Sequence, residues 1–202
     1  MRKLAYLVTA VGIAVGVLVA LYVFMHVLPT SMHRALIPSE LRELIESSKP
    51  SLRISSSFSN WSSIPRVYTC DGVDTSPPIT VSNIPSNSKC IELIMYDPDA
   101  PRGTFYHWLL YNVKVNGSSI SIPPAIPHVA KTRIGLQGIN SFGFIGYGGP
   151  CPPRGSSHRY VILVIALKTC PSIPPGASIT QLIAASKNNV ISYGVLVGIY
   201  SR

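Results

Sequence analysis

Carboxylates are scarce in this chain. Its 202 residues carry eight Asp and Glu against 17 Lys and Arg, a formal charge of +9. A domain this poor in acids does not depend on many ionised carboxylates, which suits an acidic exterior. The four cysteines, Cys70, Cys90, Cys151 and Cys170, include no CxxC pair, so zinc-ribbon spacing is absent. There is no GxSxG elbow, and Ser156 and Ser157 are merely next to His158 in sequence, which does not set a hydroxyl against an imidazole. An enzyme is therefore the least favoured class. Internal repeats are missing, and no long helical period appears after the first 50 residues. Residues 51–202 hold 12 Lys and Arg against five Asp and Glu, a formal +7. These cations are scattered, without a nucleic-acid motif or an aromatic platform, so no nucleic-acid partner is expected. An anionic small molecule or an acidic surface fits the charge better.

What the chain does have begins at its N-terminus. Leu4 to Leu28 is 25 residues without a formally charged side chain, long enough to cross a hydrocarbon core of roughly 30 Å. Arg2 and Lys3 precede it, which places the N-terminus in the cytoplasm and the rest outside. A cleaved secretory signal has an apolar core of only about 7–15 residues, so residues 1–28 are expected to be an uncleaved single-pass anchor in the cell membrane. Residues 29–50 read as a stalk. Within it, Leu41, Leu44 and Ile45 follow Pro38 and Ser39 at helical spacing, which predicts a short helix resting on the domain or the bilayer.

In an extracytoplasmic domain the cysteines read as disulfides. Four cysteines allow three connectivities. Sequential pairing, Cys70 with Cys90 and Cys151 with Cys170, is the first expectation, with free or cross-paired thiols left open. Two glycosylation-type triplets, at Asn60 and Asn116, agree with exposure outside the cell.

Residues 51–202 alternate strand-length apolar runs with Gly/Pro turns. Ile91 to Tyr96, His107 to Val113, Tyr160 to Lys168 and Gly194 to Tyr200 are predicted strands, and Thr180 to Lys187 a short helix after the PPG turn. The fold class is mainly β.

The chemistry concentrates at strand ends. Pro98, which has no N–H, stands between Asp97 and Asp99, so DPDAP turns just after a strand. His107 opens the next strand. Tyr147 to Gly155 is dense in Gly and Pro, and His158 stands before VILVIAL. Polar groups at one rim of a sheet form a site presented by a rigid scaffold. Two histidines can donate to an anion's oxygens, Asp97 can fix a histidine tautomer, and the amides of Gly149 and Cys151 can form a small nest. Two His and two Asp also suit a divalent metal; no metal or other cofactor is expected here.

Three strings, IPRVYTCDGVDTSPP (64–78), IELIMYDPDAPRGTFYHWLLYNV (91–113) and GFIGYGGPCPPRGSSHRYVILVIAL (143–167), together with the terminal GVLVGIYSR, resemble the phosphatidylethanolamine-binding proteins of bacteria and archaea, the Raf kinase inhibitor-like branch. The resemblance covers nearly all of residues 51–202. It implies a large central antiparallel sheet, a smaller second sheet, a few short peripheral helices, and an anion pocket. Carried over residue by residue, Asp97, His107 and His158 are its polar members, with Gly149 and Cys151 in its loop and Asp99, Pro150 and Tyr160 at motif positions around it. The expected function is a membrane-tethered binding protein for phosphate, a phospholipid head group or another small anion. The alternative the resemblance also implies is inhibition of a serine protease at the cell surface, with Ile126 to Gln137 as the candidate reactive segment. An anchor and four cysteines separate this chain from cytosolic relatives, and a domain outside the membrane cannot meet a cytoplasmic kinase.

Overall fold

The computed structural model describes residues 35–202. The expected anchor at 4–28 and the first part of the stalk lie outside the described residues. Among those described, no helix is long and apolar enough to cross a membrane.

Pro38 to Arg202 form one unit. It begins with helix α1 (Ser39–Ile45), whose buried Leu41, Leu44 and Ile45 are the residues the spacing singled out. Strands β1 (Lys49–Pro50), β2 (Arg53–Ser55) and β3 (Ser62–Ser63) follow, then a 3-10 turn (Arg66–Tyr68) and β4 (Ile79–Ser82). The long strands are β5 (Cys90–Asp97), β6 (Phe105–Lys114), β9 (Ser157–Leu167) and β10 (Val190–Ser201). Shorter β7 (Ser119–Ile122) and β8 (Leu136–Gln137) lie between β6 and β9, and helix α2 (Ile179–Ser186) between β9 and β10.

The large sheet runs β1-β10-β9-β5-β6-β8, with β3 also on β10. It is antiparallel from β10 through β8 and becomes mixed where β1 and β3 join β10 in parallel. The second sheet, β2-β4-β7, is antiparallel. Burial of both faces explains why β5 and β9 read as near-continuous apolar runs rather than alternating ones. One face, with Ile91, Leu93, Met95, Ile162 and Val164, joins a core shared with Ile79, Val81 and Ile122 of the small sheet. On the other face, Tyr106 donates from its hydroxyl to Glu40 of α1 at 2.8 Å, and Ser186 of α2 donates to Glu92 of β5 at 2.6 Å.

Two expectations change. The domain does not begin at residue 51: residues 38–50 of the predicted stalk belong to the folded unit, because α1 buries its apolar stripe and Lys49–Pro50 adds to the edge of β10. The cysteines pair across the sequence, Cys70 with Cys151 and Cys90 with Cys170, and not sequentially. Cys90 opens β5 opposite Leu167, the last residue of β9, so the chain leaving β9 brings Cys170 beside it. The bridges span separations of 81 and 80 residues, and closing loops of that length in the unfolded chain is worth about 4–5 kcal/mol each in the chain-entropy account.

Helix α2 starts one residue before the predicted Thr180, because Ser178 and Gln181 form a capping box that satisfies two otherwise unpaired amide groups. Its partner Glu92 is fully buried, and burial pushes that carboxyl up from 4.5 to about 8. A raised carboxyl pKa means that the fold holds a proton the unfolded chain has already lost. The contribution of Glu92 is therefore complete below about pH 4.5 and declines as pH rises through 8. Glu92→Gln should remove this decline, gaining about 2 kcal/mol over the wild type near pH 9 and little near pH 5. Guanidinium unfolding at the two pH values measures it; an equal effect at both would show that Glu92 is ionised in the fold.

Candidate functional site

The site is built at the end of the large sheet where β5 stops. Pro98 has no N–H to continue the ladder, and the Asp97 carboxylate takes over. Its Oδ1 accepts the amide of Asp99 at 2.7 Å, closing the turn, and its Oδ2 accepts Nδ1–H of His158 on neighbouring β9 at 2.7 Å. A carboxylate oxygen has no proton to give, so Nδ1 of His158 is the donor and Nε2 is the nitrogen left for a ligand.

His107 reaches the same place through a β-bulge. Met95 pairs with Trp108 but Tyr96 pairs with Tyr106, which makes His107 an extra residue in β6. Bulges re-aim side chains. Here the bulge lets sequence neighbours face the same side: Trp108 in the core and His107 against Phe105 at 5.2 Å, while Tyr106 points to α1. Nδ1–H of His107 donates to the Gly148 carbonyl at 2.6 Å, and the Gly148 amide donates back to the His107 carbonyl at 2.9 Å. His107, too, therefore keeps Nε2 for a ligand. Its ring stands edge-on to Phe142 and Tyr160. Burial holds His107 below the ordinary histidine value, partly opposed by its Gly148 bond and the Asp97 charge.

Both histidines line a cavity of about 300 Å³ together with Asp97, Tyr160, Phe105 and Phe142. The Tyr160 hydroxyl is buried in the protein beside the Cys151 backbone and the Asp97 carboxylate. Burial, and then the nearby Asp97 charge, raises its pKa, so it is a phenol, able to donate. Cys151 lines the floor, fixed there by its bridge to Cys70. A larger hollow, about 560 Å³, contains none of these residues.

Three of the sequence-predicted residues stand outside the cavity lining. The Gly149 amide does not form half of an anion nest: it donates to Asp74 Oδ1 at 2.7 Å. A Cβ at Gly149 would come within 2.3 Å of that oxygen and 2.5 Å of the Tyr68 carbonyl, so glycine serves close packing here. Pro150 accepts the Cys70 amide at 3.2 Å. Asp99 faces Arg159, accepting from its amide and Nε at 2.8 Å each and pairing with Nη2. That guanidinium holds the Asp99 carboxyl below the ordinary range. Asp99 thus braces the turn that positions Asp97.

The cavity also contains residues that the sequence reading did not select, namely Ala100, Pro101, Phe105, Phe142, Pro152, Pro153 and Arg202. Arg202 adds the cation. Its Nε donates to Asp71 at 3.1 Å, and Asp71 also accepts the Tyr200 hydroxyl at 2.8 Å. The terminal IYSR string carried this signal, since an Arg two residues past Tyr200, which registers with His158, must lie at the same sheet end. Ile126 to Gln137 lies elsewhere. Its buried Gln137 donates to the carbonyls of Pro127 and Val129 at 2.7 and 2.9 Å, and Thr132 to Gly135 form a closed turn. Among the described residues, no three His, Cys, Asp or Glu are grouped to hold a metal ion.

Comparison with known proteins agrees with this architecture. The family model for phosphatidylethanolamine-binding protein matches residues 54–201. A UPF0098 protein of Pyrococcus horikoshii is 46% identical over 158 residues, covering 76% of this chain and 78% of that protein. One from Aquifex aeolicus is 43% identical over 151 residues, 73% of this chain and 86% of its own. Among solved structures, the phosphatidylethanolamine-binding protein homologue CT736 of Chlamydia trachomatis superposes with a TM-score of 0.68 at 32% identity, over 76% of this chain and 99% of that one. YbcL of E. coli, a member of the same family, gives 0.67 at 26% identity, over 75% and 99%.

If Asp97 organises this rim, Asp97→Ala leaves two buried donors unpaired and should cost about 2–4 kcal/mol. Asp99→Ala, losing a partly exposed ion pair, should cost about 1 kcal/mol. Denaturant midpoints of the two variants check the order; the reverse order would show that the turn is held from Asp99.

Proposed function

The chain belongs to the phosphatidylethanolamine-binding protein family, and from that premise we propose that it is a binding protein whose cavity takes a phosphate group or another small oxyanion. The observation that carries this reading is the meeting, in one cavity, of two imidazoles, each held to the protein through Nδ1, beside the Tyr160 phenol. An oxyanion accepts from the phenol directly, and from each Nε2 once that ring has taken up a proton. Arg202 supplies positive charge at the same cavity, and Asp97 is kept from opposing the ligand by giving both of its oxygens to protein donors. Phe105 and Phe142 exclude water from one side, which strengthens each charge-assisted bond.

The reading extends to placement. The 25 uncharged residues from Leu4 to Leu28 behind Arg2 and Lys3 support a membrane tether with an extracytoplasmic domain, and two disulfides suit an oxidising compartment. The closed turn at Thr132 to Gly135 offers a protease cleft no extended stretch, so binding is favoured over protease inhibition.

Burial lowers the affinity of His107 for a proton, and a bound anion raises it. Sulfate keeps its charge between about pH 5.5 and 7.5, and its binding should tighten as pH falls across that range, with net proton uptake seen by calorimetry in buffers of different ionisation enthalpy. His107→Ala should reduce the uptake, and His158→Ala should weaken binding about tenfold. Binding that ignores pH and both substitutions would place the anion elsewhere. For the tether, alkaline carbonate extraction should leave the full chain in the membrane pellet; release into the supernatant would refute the anchor.

A further inference from the structure

The larger hollow lies at the far end of β6. From His107 to Lys114 the strand advances about 23 Å, at about 3.3 Å per residue, so the hollow is separate from the histidine cavity. It has about 560 Å³, within the range of discrete ligand sites. Lys114, Lys131 and Arg133 stand on its walls and Val113, Ile120 and Ile134 contribute apolar surface. No carboxylate lines it. None of its three cations has an ion-pair partner among the described residues. The five carboxylates of residues 51–202 are engaged elsewhere: Asp71 with Tyr200 and Arg202, Asp74 with Gly149, Glu92 with Ser186, and Asp97 and Asp99 with His158 and Arg159.

Strand β8 pairs with Leu110 and Tyr111 of β6, and Gly135 continues close against Tyr111 and Val113, so the hollow lies where that pairing ends. Strand β7 is the outer strand of the small sheet, with Ile120 and Ser121 on the hollow. Residues of β6, of β7 and of the segment before β8 thus line a groove that combines cationic and apolar side chains. Long, flexible nucleic acid is a poor match, because no aromatic ring lines the groove to stack a base. We propose that this groove binds an extended acidic peptide segment of a partner protein, one that alternates carboxylate and aliphatic side chains. In an extended strand, alternate side chains point to opposite sides, so carboxylates meet Lys114, Lys131 and Arg133 while aliphatic groups settle on Val113, Ile120 and Ile134. This proposal does not rest on the anion reading of the histidine cavity.

The test uses the full chain and a capped hexapeptide of alternating glutamate and leucine, titrated by calorimetry at low salt. The wild type should bind it, and K131E/R133E should weaken binding about tenfold or more. K114E, on the opposite wall, should weaken it in the same direction. K168E/K187E, which makes the same change in net charge at exposed lysines outside the groove, should leave affinity within about twofold, as should His158→Ala and saturating phosphate. Melting curves confirm that each variant is folded. The proposal fails if the wild type does not bind, or if the two double variants lose affinity equally. It also fails if phosphate or His158→Ala displaces the peptide, or if a polyphosphate of equal charge binds as tightly.

Discussion

One carboxylate governs the functional end of this domain. Asp97 is the last residue of β5, and its two oxygens perform two tasks: one closes the DPDAP turn through the Asp99 amide, the other takes the Nδ1 proton of His158. The turn and the histidine come from β5 and β9, adjacent antiparallel strands of the large sheet. Arg159, the residue after His158, grips Asp99 from β9, so the same two segments are joined twice. The rim is therefore fixed by the sheet, by the Asp97–His158 hydrogen bond and by the Asp99–Arg159 ion pair, and the ring of His158 has one orientation. Such preorganisation lets a small ligand bind without reordering its site.

The second histidine is set by a different device. A regular β6 would turn Trp108 away from the core that His107 faces. One extra residue at the bulge reconciles the two, and the Gly148 carbonyl, on a loop held by the Cys70–Cys151 bridge and by the Asp74 contact to Gly149, fixes the ring. Two unrelated constructions thus leave the same nitrogen, Nε2, unused on each imidazole.

Much of this is visible in the sequence. The four long strands appear as apolar runs because both faces of the large sheet are buried, and the polar residues Asp97, His107 and His158 stand at their ends. The limits of each strand were less legible. Phe105 and Ser157 lie on ladders whose pairing depends on the partner strand, which no local pattern shows. The small sheet is expected only from the family resemblance and leaves no pattern of its own, because β2, β4 and β7 have only three or four residues, several of them Ser or Thr. The disulfide pairing and the place of Arg202 follow from register between distant strands, so they emerge with the fold. The nest ascribed to Gly149 failed for a local reason: Asp74, 75 residues earlier, had already taken its amide.

The central claim is that both imidazoles carry their proton on Nδ1 and present a bare Nε2 to the cavity. Long-range proton–nitrogen correlation spectra of the histidine rings in the ligand-free protein test it directly. The account predicts the Nδ1–H tautomer for His107 and His158 alike. An Nε2–H tautomer at either residue would contradict it, because Asp97 or Gly148 would then have no proton to accept.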